Sequence, residues 1–176
     1  MKRLSQTTSE TCLPISLIYI LLKMKKNVKR SEELNILIKG IKFTKLDYSI
    51  GQLVYVAKKY KVRIRFYVEF KKFFEKLNKF KLPKNLELLN KKIDLNLLKE
   101  LIKEGPLIVY VDDFYIRRVI HYPHFVVLLN INESVKFFDP WDGKIKKIDK
   151  KRFINGIQYL RNKLKFSPKV IQIFPS

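Results

Sequence analysis

Residues 13 to 26 read as a helix whose apolar side chains, LPISLIYILL and then Met24, cover nearly every face. Such a helix cannot lie on a surface, so the rest of the chain has to be built around it. Pro14 suits its first turn, where a missing N–H costs nothing. Immediately before it stands SQTTSETC, residues 5 to 12, polar until it ends on Cys12, the only cysteine in the chain. A lone cysteine is usually a small core hydrophobe. At the mouth of a buried helix, however, the positive end of the helix dipole favours a thiolate.

The elements that follow change character halfway along. Ser31 with Glu32 and Glu33 opens a second, short helix that stops at Gly40. Ser49 and Gln52 make a capping box for a third helix, SIGQLVYVAKKY. VRIRFYV (62–68) alternates like a strand, FKKFFEKLNKF reads as helical, and the polar stretch to Lys92 reads as irregular. Asp94 caps LNLLKELIKE, which Gly105 and Pro106 end. From there the pattern is β, over 107–111, 124–131, 134–139 and 144–148. A helix capped by Asp149 runs through Arg161, and a strand over 169–174 closes the chain. Helices in the first half and an antiparallel sheet in the second give an α+β class. The expectation is one domain, residues 1–176, long enough to bury a core of its own.

A single cysteine excludes an internal disulfide, and no Cys/His cluster suggests a metal, so no metal or cofactor is expected. The longest apolar run falls well short of the roughly 20 residues of a membrane-spanning helix. A soluble, cytoplasmic protein is the expectation. The charge balance is extreme, 38 Lys+Arg against 16 Asp+Glu, and would draw in nucleic acid, anionic membranes or acidic peptides. Pairs such as Lys25-Lys26, Lys71-Lys72, Lys91-Lys92 and Lys146-Lys147 flank apolar runs, as a solvated coat does. The best nucleic-acid strip is VRIRFYVEFKKFF, where Arg63, Arg65 and Lys71 stand among aromatics such as Tyr67. Its plainer reading is a half-exposed edge strand.

Both histidines lie in HYPHF. If 124–131 and 134–139 form a hairpin around Asn132-Glu133, an even loop pairs Leu128 with Phe137 and Val126 with Asp139. Alternate residues share a face, so His124 then lies on the face of Asp139, one side-chain step away. An odd loop or a bulge would break this relation. His121 has the other parity and precedes Pro123, off the strand. Cys12, His124 and Asp139 thus have the residue types of a thiol triad, in which the carboxylate fixes the imidazole tautomer and stabilises imidazolium. The N–H of Cys12 and the amide of Gln6 are candidate oxyanion donors, each typically worth about 3 kcal/mol.

Gln6, five residues, then Cys12 at a helix start; GPLIVYV ahead of HFVVL with His124; and DPWDGKIKKIDKKRF with Asp139: in this order they resemble the papain-like cysteine peptidases that process bacteriocin leaders after a double glycine, and their stand-alone relatives. The resemblance implies a papain-like fold with the cysteine helix packed on a sheet that carries His and Asp. It implies Cys12 as nucleophile, His124 as base and acid, Asp139 as orienter and Gln6 as oxyanion donor, acting on a peptide. Residues 27 to 100 carry none of it. Thr11, Leu13 and Ile15 depart from the family's Asp, Gly and small residue, and Leu13 is placed to alter the approach to the oxyanion site. The same triad also serves acyl transfer to an amine, or deamidation. A domain that keeps the fold only for binding, nucleic acid included, is a further alternative.

Overall fold

A computed structural model describes residues 4–175. Helix α1 (Cys12–Lys23) is as central as its composition requires, with Leu13, Ile15, Leu17, Ile18 and Leu21 fully buried. It packs on helix α2 (Glu32–Phe43), helix α3 (Tyr48–Tyr60) and the sheet. The sheet has seven strands, β1 (Val62–Val68), β2 (Leu86–Asn90), β3 (Leu107–Asp112), β4 (Pro123–Ile131), β5 (Ser134–Asp139), β6 (Lys144–Asp149) and β7 (Lys169–Pro175). Their order is β2-β1-β7-β3-β4-β5-β6. Four further helices connect them: α4 (Lys71–Leu77), α5 (Leu95–Leu101), α6 (Asp113–Arg117) and α7 (Lys150–Asn162).

Alternation along the strands gives the sheet two apolar faces. Ile64, Phe66, Ile108, Val127 and Ile171 join the cluster around α1 to α3. Val109, Val126, Leu128, Phe137 and Val170 join the second cluster, which includes Leu98 of α5 and Phe153 and Ile157 of α7. The side chains of Asp94 and Asp149 cap α5 and α7 as expected, accepting from Leu97 N at 3.0 Å and Arg152 N at 2.7 Å.

The α+β class holds, but several local expectations do not. Helix α1 ends at Lys23, short of residue 26, and Lys25 turns the chain with φ 58°. Helix α2 runs through Gly40 to Phe43. Gly40 is not a stop but a point of contact: a Cβ there would lie 2.5 Å from Gln52 Cγ and 2.6 Å from the Tyr48 carbonyl. Asp47, rather than Ser49, caps α3, accepting from Ser49 N at 2.8 Å, while Gln52 is buried against α2. The stretch read as irregular contains β2, and the segment before the histidines contains α6.

The sheet also departs from the expected antiparallel half. Strands β1 and β2, both ahead of residue 107, pair in parallel, so the sheet is mixed. Strand β7 lies between β1 and β3, antiparallel to both. VRIRFYV is therefore an inner strand, not an edge. Tyr67 is buried, and Arg65 sits over Phe174 and pairs with Glu104 at 3.2 Å and Glu87 at 3.5 Å. Arg65 and Tyr67 are thus engaged within the protein, while Arg63 and Lys71 remain exposed.

Candidate active site

The polar segment before Cys12 is held down at four points. Arg30 Nη2 donates to the Ser5 carbonyl at 2.5 Å, and the backbone N–H of Gln6 donates to the Pro140 carbonyl at 2.7 Å. The N–H and hydroxyl of Thr7 both donate to Glu33 Oε1, at 2.6 and 3.0 Å. Thr8 N donates to Thr11 Oγ1 at 3.2 Å, and that hydroxyl donates to the Thr8 carbonyl at 2.9 Å. A 3-10 turn over Ser9–Thr11 then delivers Cys12 as the first residue of α1. Cys12 is 7% exposed.

His124 and Asp139 are both buried, with Nε2 and Oδ1 2.9 Å apart. Asp139 engages Nε2, which leaves Nδ1 as the ring nitrogen available to Cys12, a neighbour close enough to shift the imidazole's pKa. Their strands pair Leu128 with Phe137 and Val127 with Phe138, the expected register. The turn, however, is not even: Ile131 pairs with Val135, leaving three residues between, and a bulge between Leu128 and Asn130 restores the parity. Two departures that would each separate His124 from Asp139 cancel one another.

Asp139 is fully committed. Its Oδ1 also accepts from the Trp141 N–H at 3.0 Å, and its Oδ2 accepts from Lys146 Nζ at 2.5 Å. Burial alone would raise its pKa, but the bonds and charges of His124 and then Lys146 hold the carboxyl well below the usual range. Burial alone would lower the pKa of His124; the bonds to Asp139 and Cys12, with their charges, outweigh it and raise the imidazole to about 9.

Gln6 lines a small cavity of about 160 Å³ together with His124. Its Nε2 donates to the Thr8 carbonyl at 2.8 Å, and its Oε1 is buried with no hydrogen-bond partner. Leu13, expected to alter the approach to the oxyanion site, is fully buried within the α1 core cluster and contributes to a wall of the main cleft. His121 is occupied elsewhere: its Nδ1 lies 2.7 Å from the buried Asp112, and its ring stacks on Tyr159 at 4.0 Å.

Cys12 opens instead onto a larger cleft of about 590 Å³. Glu10, two residues earlier, accepts from Tyr48 at 2.7 Å and from Tyr122 at 2.9 Å, tying the start of α3 to the approach to β4. Burial, followed by that bond, pushes the Tyr122 phenol up to about 12. Further along, Lys45, Lys72, Lys76 and Lys165 line the cleft with Phe73 and Phe166. The ammonium of Lys169 is spoken for, pairing with Asp47 and lying over Tyr110.

Lys146, Glu33 and Glu10 escaped the sequence reading. Only Lys146 left a trace there: alternation along β6 puts it on the face of Lys144, which pairs with Asp139. No group of three or more His, Cys, Asp or Glu among the described residues could hold a metal, and no described helix is long and apolar enough to cross a membrane.

No protein-family model and no curated protein matches the chain. Among solved structures it is similar to the crystal structure of a double glycine motif protease from an AMS/PCAT transporter, in complex with its leader peptide. The TM-score is 0.56 at 16% identity, covering 99% of this chain and 91% of that one. At that identity the likeness concerns the fold alone, a mixed α+β arrangement shared with that protease domain.

Proposed function

We propose that this protein is a cysteine peptidase working through Cys12, His124 and Asp139. One observation carries the reading: a buried imidazole, bonded to the Asp139 carboxylate at 2.9 Å and perturbed by the neighbouring Cys12, stands behind a thiol that lines a cleft of peptide-binding size. Sγ attacks the scissile carbonyl as a thiolate and forms a tetrahedral oxyanion. The N–H of Cys12, at a helix start where such groups lack an intrahelical partner, and the second N–H of Gln6 Nε2 are the donors proposed to receive it. Collapse expels the amine, which His124 protonates, and leaves a thioester. Water, deprotonated by His124, then attacks the thioester carbonyl and frees the acid and Sγ. Asp139 keeps Nε2 as donor and Nδ1 toward sulfur throughout.

The substrate proposed is a peptide with acidic side chains on the acyl side. Four lysines along the cleft have no carboxylate partner among the described residues and stand beside aromatic rings, a combination that suits acidic and apolar side chains together. The peptide bound by the structural neighbour supports a peptide substrate in general.

Iodoacetamide labelling at about pH 6, where an ordinary thiol is almost wholly protonated, tests the chemistry. Wild-type protein should label rapidly, and His124→Ala should be slower by roughly tenfold or more. Equal, ordinary rates in both proteins would sink the proposal.

A further inference from the structure

The geometry points to a dedicated subsite for the leaving side of the substrate: the small cavity beside His124 takes an apolar residue directly after the scissile bond. The inference rests on the peptidase reading and extends it. His124 must hand a proton to the departing amine, so the chain beyond the scissile bond has to pass the imidazole. The larger cleft is lined by Cys12 and not by His124; the cavity of about 160 Å³ is lined by His124 and not by Cys12. The two meet at Ser9 and Tyr122, which line both. One path therefore runs from the lysine-lined cleft, over sulfur, and into the cavity.

Its open walls include two large apolar side chains, Ile120 at 56% and Trp141 at 46% exposure. Apart from His124 itself, the charged group of the lining is Arg117, and it is not free to bind a carboxylate. Its guanidinium carbon lies 3.9 Å from the centre of the Trp141 ring, and both its Nε and Nη2 donate to the buried Asp113 carboxylate. It serves as a neutralised wall.

By microscopic reversibility, the site that releases an amine also admits one. An incoming amine attacks the thioester carbon, the new C–N bond forms, the C–S bond breaks with its electron pair returning to Sγ, and His124 takes the amine's proton. Acceptor choice therefore reads the subsite after the first leaving group has gone. The full-length protein would be acylated with the p-nitrophenyl ester of acetyl-glycylglycine in the presence of leucinamide, glycinamide or glutamic acid α-amide. Leucinamide should be captured over glycinamide by roughly fivefold or more, with the acidic amide poorest. Ile120→Ser should bring the ratio of leucinamide to glycinamide capture down toward one.

Trp141 is the only tryptophan, so its emission reports occupancy without any turnover. Leucinamide should shift it saturably, and glycinamide at the same concentration should not. Ester turnover with acceptors captured equally, or emission blind to the acceptor, would overturn the subsite alone. Absence of ester turnover together with ordinary iodoacetamide labelling of Cys12 would remove the peptidase reading, and the subsite with it.

Discussion

The backbone N–H of Gln6 lies 2.7 Å from the carbonyl oxygen of Pro140, the residue that follows Asp139. The segment leading to Cys12 is thus bonded to the turn that follows Asp139, across more than a hundred residues of sequence. Two distant parts of the proposed site are set by one contact, and neither has a regular element at that point to hold it. On the other side of the segment stands Glu33, a buried carboxylate that takes both donors of Thr7.

Glu33→Ala should therefore loosen the segment that carries Gln6. Two hydrogen bonds to a charged acceptor are lost, with an expected cost of about 2 kcal/mol in unfolding free energy. Amide exchange at Thr7 should quicken by a larger factor than exchange in α1. Unchanged exchange at Thr7 would mean that Arg30 and the Pro140 carbonyl suffice to hold the segment.

The pair His124–Asp139 sets the pH dependence. The imidazole is raised from 6.5 to about 9, so its contribution to stability is full below about 6.5 and is lost as pH rises through 9. The carboxyl is held below its ordinary 3.8, so its contribution is present above that value and is lost as pH falls through its lowered pKa. Asp139→Asn should cost most stability between those limits, and its deficit should shrink toward pH 9 and beyond. In activity, the alkaline limb of kcat/KM should lie near 9 in wild type and move toward neutrality in Asp139→Asn. A limb that stays in place would assign it to another group.

Lys146 is argued to act through Asp139, as a positioning residue. Lys146→Met removes a cation that helps keep the carboxyl ionised. The acid limb of kcat/KM should then rise in pH, and Lys146→Arg should restore part of the shift. A uniform loss of activity with no movement of the limb would indicate a merely structural role.

Much of this architecture is legible in the sequence because it rests on local rules. An all-round apolar helix at residues 13–24, capping aspartates at 94 and 149, and period-two strands after residue 107 each follow from side-chain chemistry within a few residues. What stayed hidden depends on partners far away. LELLN becomes β2 only because β1 offers it an edge, and Gly40 reads as a stop unless α3 is known to press on it. The hairpin is the instructive case. The register at Leu128 and Phe137 follows from alternation, while the odd turn and the bulge that offsets it leave no mark in composition.

The contact between α2 and α3 is testable by adding one methyl group. A Cβ on Gly51 would lie 2.4 Å from Phe43 Cβ and 2.7 Å from the Gly40 carbonyl, where neither neighbour is a flexible tip. Intrinsic helix propensity favours Gly51→Ala by up to about 1 kcal/mol. Overpacking should win, with a net loss of roughly 1–3 kcal/mol on chemical denaturation. A stabilised variant would mean that the helices separate at little cost.

The lysines of the cleft should govern the choice between acidic and basic peptides. The net charge of +22 draws anions toward the whole surface, but Lys45, Lys72, Lys76 and Lys165 concentrate that attraction where the acyl side of a peptide would lie. Steering acts on encounter, so acidic peptides should gain in kcat/KM and not in kcat. The gain should shrink as ionic strength passes about 0.15 M, where the Debye length is about 8 Å. The global field and the local cluster can be separated. Lys72→Glu with Lys76→Glu changes the formal charge by four and should abolish most of the preference. The same change at Lys25 and Lys26, which do not line the cleft, should leave most of it. Equal losses from the two double variants would show that overall charge alone draws the substrate in.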